Sequence, residues 1–192
     1  MDLKGEYRLP APRATVWEAL NDPAVLRACI PGCESLEVTG ENEMAATVVA
    51  KIGPVKAKFN GAVRLENINA PESYSITGEG KGGIAGFAKG GADVHLAEDG
   101  TETILTYTVD AQVGGKIAQL GQRLIDGVAR SMAEDFFKRF DEDMQRVHPE
   151  AYAVREASAS GPTAGAKASR IPPWMLFAGI VGVAVAVFFL SR

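Results

Sequence analysis

The feature that most constrains this chain is a change of hydrophobic period. From Ser35 to Gly114 apolar and polar residues alternate, and turn signals recur at Gly40-Glu41-Asn42, Gly53-Pro54, Asn69-Ala70-Pro71, Gly82-Gly83 and Asp99-Gly100. Alternation broken by such turns predicts about six strands in a meander. From Lys116 to about His148 the period becomes helical, with Ile117, Leu120, Leu124, Val128, Met132 and Phe136 on one drifting stripe. Residues 1–9 read as a first strand, and Pro12 opens a helix through Leu20. Asn21-Asp22-Pro23 starts a second short helix to about Ala28. This order predicts an α+β helix-grip fold: a curved antiparallel sheet of about seven strands wrapped around a long final helix.

Charges fix the phase of the strands. Lys56, Lys58 and Arg64 belong in water, so Val55, Ala57, Phe59, Gly61, Val63 and Leu65 turn inward. The same logic turns in Met44, Ala46, Val48, Ala50 and Ile52, then Tyr74, Ile76, Gly78 and Gly80. Ala88, Gly90, Ala92, Val94, Leu96, Leu105, Tyr107, Val109, Ala111 and Val113 follow from the last strands. Many of these are Ala or Gly. Two readings stay open: small residues leave a cavity for an apolar ligand, or they let the sheet bend and the helix approach. On the cavity reading the lining is Phe59, Ile76, Ile84, Phe87, Tyr107, Leu120, Leu124, Val128 and Met132. Its mouth is expected between the 82–90 hairpin and the start of the long helix, with Gly82, Gly83, Gly86 and Gly90 making the hairpin pliable.

A second constraint lies at the other end. Ile171 to Leu190 carries no charge, and about twenty such residues span a hydrocarbon core of about 30 Å. Pro172-Pro173 suits a first helical turn. Trp174 is placed for the headgroup level, with Phe177, Phe188 and Phe189 in the apolar run. The segment reads as a transmembrane tail anchor, the competing reading being a buried core helix. Ala178, Gly182 and Ala186 form a small-xxx-small pattern that permits helix pairing and also arises by chance. Residues 151–170, ending SASGPTAGAKASR, read as a flexible linker. The expected domains are therefore 1–150, 151–170 and 171–190.

Residues 1–150 hold 16 Lys/Arg and 23 Asp/Glu, a net of −7, while residues 151–192 are net +3. An acidic body argues against nucleic acid, and a basic tail suits anionic lipid. Met1-Asp2-Leu3-Lys4-Gly5-Glu6 lacks the apolar run of a signal peptide. Cys29 and Cys33 are too few for a disulfide framework and are read as reduced, mainly structural thiols in a cytoplasmic domain.

Several motifs mislead. Gly78-Glu79-Gly80-Lys81-Gly82-Gly83 matches a dinucleotide fingerprint but lies in a hairpin with no helix after it. Cys29 and Cys33 are spaced C-x-x-x-C, with His95 and His148 far off, so no metal site is expected. His95 should face solvent. No catalytic residues are expected, because no nucleophile–base pair or carboxylate pair points inward. The acids Glu134-Asp135 and Asp141-Glu142-Asp143 read as a wet helix face, or as a docking patch.

Certain strings are more specific. Met1 to Tyr7, Ile30-Pro31-Gly32-Cys33-Glu34-Ser35-Leu36, Lys51-Ile52-Gly53-Pro54-Val55, the stretch 82–90 and above all 113–125 (VGGKIAQLGQRLI) resemble the G-subunit family of carbon monoxide dehydrogenase. That family lies in the START-like, or SRPBCC, superfamily, and the resemblance covers about residues 1–148. It implies a non-enzymatic accessory role beside a molybdenum hydroxylase of the CO dehydrogenase type. The protein would recruit that complex to the inner face of the bacterial cytoplasmic membrane and bind a quinone or similar membrane lipid, with no covalent cofactor. Two other readings remain: a recruitment adaptor with a filled core, and a hydrophobic-ligand-binding protein of another pathway.

Overall fold

The computed structural model describes residues 2–150 and 152. Strand β1 (Asp2–Leu9) leads to helices α1 (Arg13–Asn21) and α2 (Pro23–Cys29). Six strands follow: β2 (Cys33–Gly40), β3 (Glu43–Ile52), β4 (Val55–Asn69), β5 (Ser73–Lys81), β6 (Phe87–Asp99) and β7 (Glu102–Gly114). Helix α3 (Gln122–Val147) closes the domain. The seven strands form one antiparallel sheet in the order β1-β7-β6-β5-β4-β3-β2. The pair α1–α2 therefore carries the chain from one edge of the sheet to the other, and α3 packs across the concave face. This is the expected helix-grip order.

Local chemistry explains the breaks. Every turn signal read from the sequence falls at a junction between two strands. Asp22 caps α2, its side chain accepting the Ala24 N–H at 2.7 Å with Pro23 in the first turn. Thr103 is fully buried, and its hydroxyl donates to the Ala11 carbonyl at 2.7 Å, tying β7 to the entry of α1. The strand phases also agree with expectation. Val48, Ala50, Ile52, Phe59, Val63, Tyr74, Ile76, Val94, Leu96, Leu105, Val109 and Ala111 are all buried, while Lys51, Lys56, Lys58 and Arg64 are exposed.

The long helix departs from expectation. It begins at Gln122 rather than Lys116, and its 26 residues make it about 39 Å long rather than about 50 Å. Gly115 (φ +81) and Gly121 (φ +90) interrupt the run, with a short 3-10 turn at Ala118–Leu120 between them. Ile117 is fully buried ahead of the helix, and its N–H donates to the Ala85 carbonyl at 3.0 Å. The buried stripe of α3 is consequently Ile125, Ala129, Met132, Ala133, Phe136, Phe137, Phe140 and Met144. Leu124 and Val128 lie at its margin.

No helix among the described residues is long and apolar enough to cross a membrane. The expected anchor at 171–190, with Trp174, Phe177, Phe188 and Phe189, lies outside the described residues, as do residues 153–170 of the expected linker. Tyr152, expected to lie in that linker, is instead helical and buried, its hydroxyl donating to the Asp141 carboxylate at 2.8 Å.

Candidate functional site

The concave face has two unlike halves. Toward the C-terminal half of α3 it is filled by aromatic rings. Tyr7 stacks on Phe137 with centroids 4.6 Å apart. Phe136 meets Phe137 edge-on at 5.1 Å and stacks on Phe140 at 5.8 Å, and Trp17 meets Tyr74 edge-on at 5.3 Å. Such rings pack densely and leave little room. Toward the N-terminal half of α3 the inward residues are small: Ala57, Gly61, Gly78, Gly80, Ala88 and Gly90. Around them Val55, Ala57, Val113, Leu120 and Val128 are only partly buried against the core. Leu124 is 38% exposed, one methyl close over Gly53. These part-buried side chains form an apolar rim between the β3–β4 turn, the end of β7 and the first turns of α3.

Of the nine predicted lining residues, Phe59, Ile76, Tyr107 and Met132 are buried in the concave core. Leu120 and Val128 pack against it from the rim, and Leu124 overhangs it. Tyr107 lies flat across the neighbouring strand, its hydroxyl in the space a Cβ of Gly5 would need. Ile84 and Phe87 are corrections. Ile84 is 86% exposed and Phe87 46%, and both line a groove of about 600 Å³ on the outer face with Lys81 and Lys89. Phase is the reason: turning Ala88 and Gly90 inward puts Phe87 outward beside Lys89. Its ring covers Gly114 on β7. Val55, Ala57 and Val113 belong to the rim and are missing from the predicted lining, although the charge phasing turns them inward.

Close backbone approach accounts for Gly86 in the hairpin. A Cβ on Gly86 (φ +127) would sit 2.0 Å from the Gly114 carbonyl oxygen. Gly82 N–H donates to the Gly86 carbonyl at 3.0 Å. The glycines serve close backbone approach, which locks this connection to the segment after β7.

His95 is exposed on the outer face, as expected, in a depression of about 310 Å³. There Ser75 Oγ donates to Asp93 at 2.7 Å and accepts from Asn67, and His95 takes no part. Cys29 and Cys33 are free thiols; Cys29 is buried and Cys33 only partly so. No cluster of His, Cys, Asp or Glu among the described residues could hold a metal.

A family model described as the G-subunit of carbon monoxide dehydrogenase (CoxG) matches residues 5–145. The chain belongs to this family. Its CoxG strings at 30–36 and 113–125 form the turn into β2 and the segment that carries Val113, Leu120 and Leu124 of the rim. A conserved protein from Geobacillus kaustophilus is 35% identical over 76% of this chain and 96% of its own, with a TM-score of 0.72. A Thermus thermophilus protein is 18% identical over 77% of this chain and 99% of its own, with a TM-score of 0.60. The Zhui aromatase/cyclase from a Streptomyces species is 14% identical over 77% of this chain and 96% of its own, with a TM-score of 0.55. The last two share the START-like fold with this CoxG chain and carry no functional assignment to it. No curated protein matches the chain.

Proposed function

We propose that this CoxG-family protein is a membrane-held, non-enzymatic accessory of a molybdenum hydroxylase of the CO dehydrogenase type. It recruits the enzyme to the cytoplasmic membrane and takes a quinone or similar prenylated lipid into its concave face. The observation that carries the reading is the mouth. Val55, Ala57, Val113, Leu120, Leu124 and Val128 leave an apolar rim part-exposed above small inward residues. The charge-free run 171–190 in the sequence supplies the tether. Each CH₂ of an isoprenoid tail gains about 0.8 kcal/mol on leaving water. Bilayer lipid offers nearly the same environment, so exchange between bilayer and domain is close to balanced and reversible.

The test is to purify the full chain in lipid nanodiscs, extract bound lipid and identify it by mass spectrometry, then titrate quinone analogues. Stoichiometric apolar lipid, displaced by the analogue, is the expected result. A chain that is empty and takes up no analogue sinks the cargo reading and leaves a recruitment adaptor. In that case an unrelated anchor fused to the dehydrogenase would restore electron flow to the membrane.

A further inference from the structure

The two ends of the sheet carry opposite charge. At one end β3 turns into β4, β5 joins β6 through 81–87, β7 finishes and α3 begins. Exposed Lys51, Lys56, Lys58, Lys81, Lys89 and Lys116 lie there, with Arg123 on the first turn of α3. The acids at that end are Glu34, Glu79 and Asp126, with exposed Asp2 and Asp110 facing each other across β1 and β7 beside it. The far end carries Glu41, Glu43, Glu72, Glu98, Asp99 and Glu102. Its arginines are engaged: Arg8 pairs with Asp99 and Glu102, Arg13 with Glu72 and Glu98, and Arg64 with Glu43.

The lysine end is less neutralised. Lys58 meets Glu34 at 2.7 Å and Lys81 meets Glu79 at 3.4 Å. Lys89 stands opposite Glu79 in the β5–β6 register, and no carboxylate among the described residues pairs with Lys51, Lys56 or Lys116. Lys51 and Lys56 stand directly opposite each other in the β3–β4 register, where like charges repel. This cationic end sits on a domain whose net charge over residues 1–150 is −7. It also holds exposed apolar side chains. Ile84 is 86% exposed on a protruding 3-10 turn, beside Phe87 at 46% in the groove between Lys81 and Lys89. Leu124, at 38%, overhangs the mouth at the same end.

The geometry points to a peripheral membrane-binding face: this end docks on an anionic bilayer, Ile84 and Phe87 entering the headgroup boundary while the lysines meet lipid phosphates. An apolar tip ringed by long cationic side chains suits that boundary, because lysine stems lie along apolar surface and their heads stay in water. Leftover positive charge on an acidic body is drawn to an anionic surface. Docked this way, the mouth opens onto the bilayer. Reach permits it. α3 is about 39 Å long, Tyr152 is held against Asp141, and the eighteen residues 153–170 extend at most about 65 Å. A tether leaving the far end of α3 can therefore let the lysine end touch the surface. The inference rests on the reading of a bilayer cargo, yet the two fail separately.

The experiment uses the full chain reconstituted into vesicles of phosphatidylcholine, alone or mixed with phosphatidylglycerol. An environment-sensitive fluorophore is placed on Ile84→Cys or, at the acidic end, on Glu41→Cys, with the unsubstituted chain as control for the native thiols. Quenching by brominated lipid is expected at position 84 in anionic vesicles, weakly in neutral ones, and not at position 41. Raising salt from about 0.1 M to about 1 M, which shortens the Debye length from about 10 Å to about 3 Å, should abolish it. Lys51→Gln with Lys89→Gln should lower the docked-to-free ratio roughly 25-fold, about fivefold per lysine. Equal quenching at the two positions, or none at 84, overturns the proposal. Shielding of position 84 only when the dehydrogenase is added also overturns it and gives the face to a protein partner. Absence of co-purified lipid with quenching intact removes the cargo and leaves the face standing.

Discussion

Single buried groups set the chemistry of this domain. Cys29 is 1% exposed, and burial, with Asp143 acting in the same direction, pushes its thiol up from 9.0 to about 12. The sign follows from linkage. A raised pKa means that above pH 9 the unfolded chain has lost a proton the folded chain keeps. Stability is then complete below about pH 9 and falls toward pH 12, by up to about 1.4 kcal/mol per pH unit. Buried Tyr74 and part-buried Cys33 are shifted upward too, so the loss has several sources. Denaturant titrations at stepped pH should show a smaller alkaline loss in Cys29→Ala than in the parent; identical profiles would rule the cause out. At neutral pH, alkylation mapped by mass spectrometry should reach Cys33 first and Cys29 only through global unfolding. Thr103 is a second such group. Thr103→Val keeps the shape but strands the Ala11 carbonyl, so a loss of about 1–3 kcal/mol is expected by chemical denaturation.

At the scale of elements, the connections carry more constraint than the strands. Gly86→Ala would force a Cβ to 2.0 Å from the Gly114 carbonyl at a φ of +127. A destabilisation of more than about 1 kcal/mol is expected, with faster amide exchange at Ile117, whose N–H is held by Ala85. Gly83→Ala meets open space there, at a φ of +59, and isolates the strain of a positive φ alone. The same contrast shows what the sequence revealed. The strands were legible because lysines and turn residues mark their phase and ends: Lys56, Lys58 and Arg64 sufficed to turn Phe59 and Val63 inward. The start of α3 was not, because 116–121 is apolar enough to extend the helical pattern. Gly115 and Gly121 instead adopt positive φ, and Ile117 is held by Ala85, thirty-two residues earlier in sequence. That contact is tertiary and leaves no local mark. Phe87 is a different failure. Its phase is readable beside Lys89, while its hydrophobicity points the other way. The lysine end leaves no local mark either: its charges come from β3, β4, β5, β6, the segment after β7 and α3, and only the fold collects them.

For the whole molecule, the grip divides labour between its halves, and the division can be measured. The aromatic half supplies stability: Phe136→Ala removes a fully buried ring in contact with two others, and a loss of about 3–5 kcal/mol is expected. The rim half is where a ligand would enter. Val128 is only partly buried there, so Val128→Trp should cost no more than about 1–3 kcal/mol of intrinsic stability while filling the mouth. A ligand that binds only the folded state at about 100 times its Kd adds about 2.7 kcal/mol. Thermal unfolding of the parent in nanodiscs should therefore shift upward on adding a quinone analogue, and that of Val128→Trp should not. The Phe136→Ala chain should melt lower yet still shift. The pairing discriminates, because a filled adaptor core predicts no shift in any of the three chains. A shift retained in Val128→Trp would move the entrance away from the α3 rim and toward another edge of the sheet.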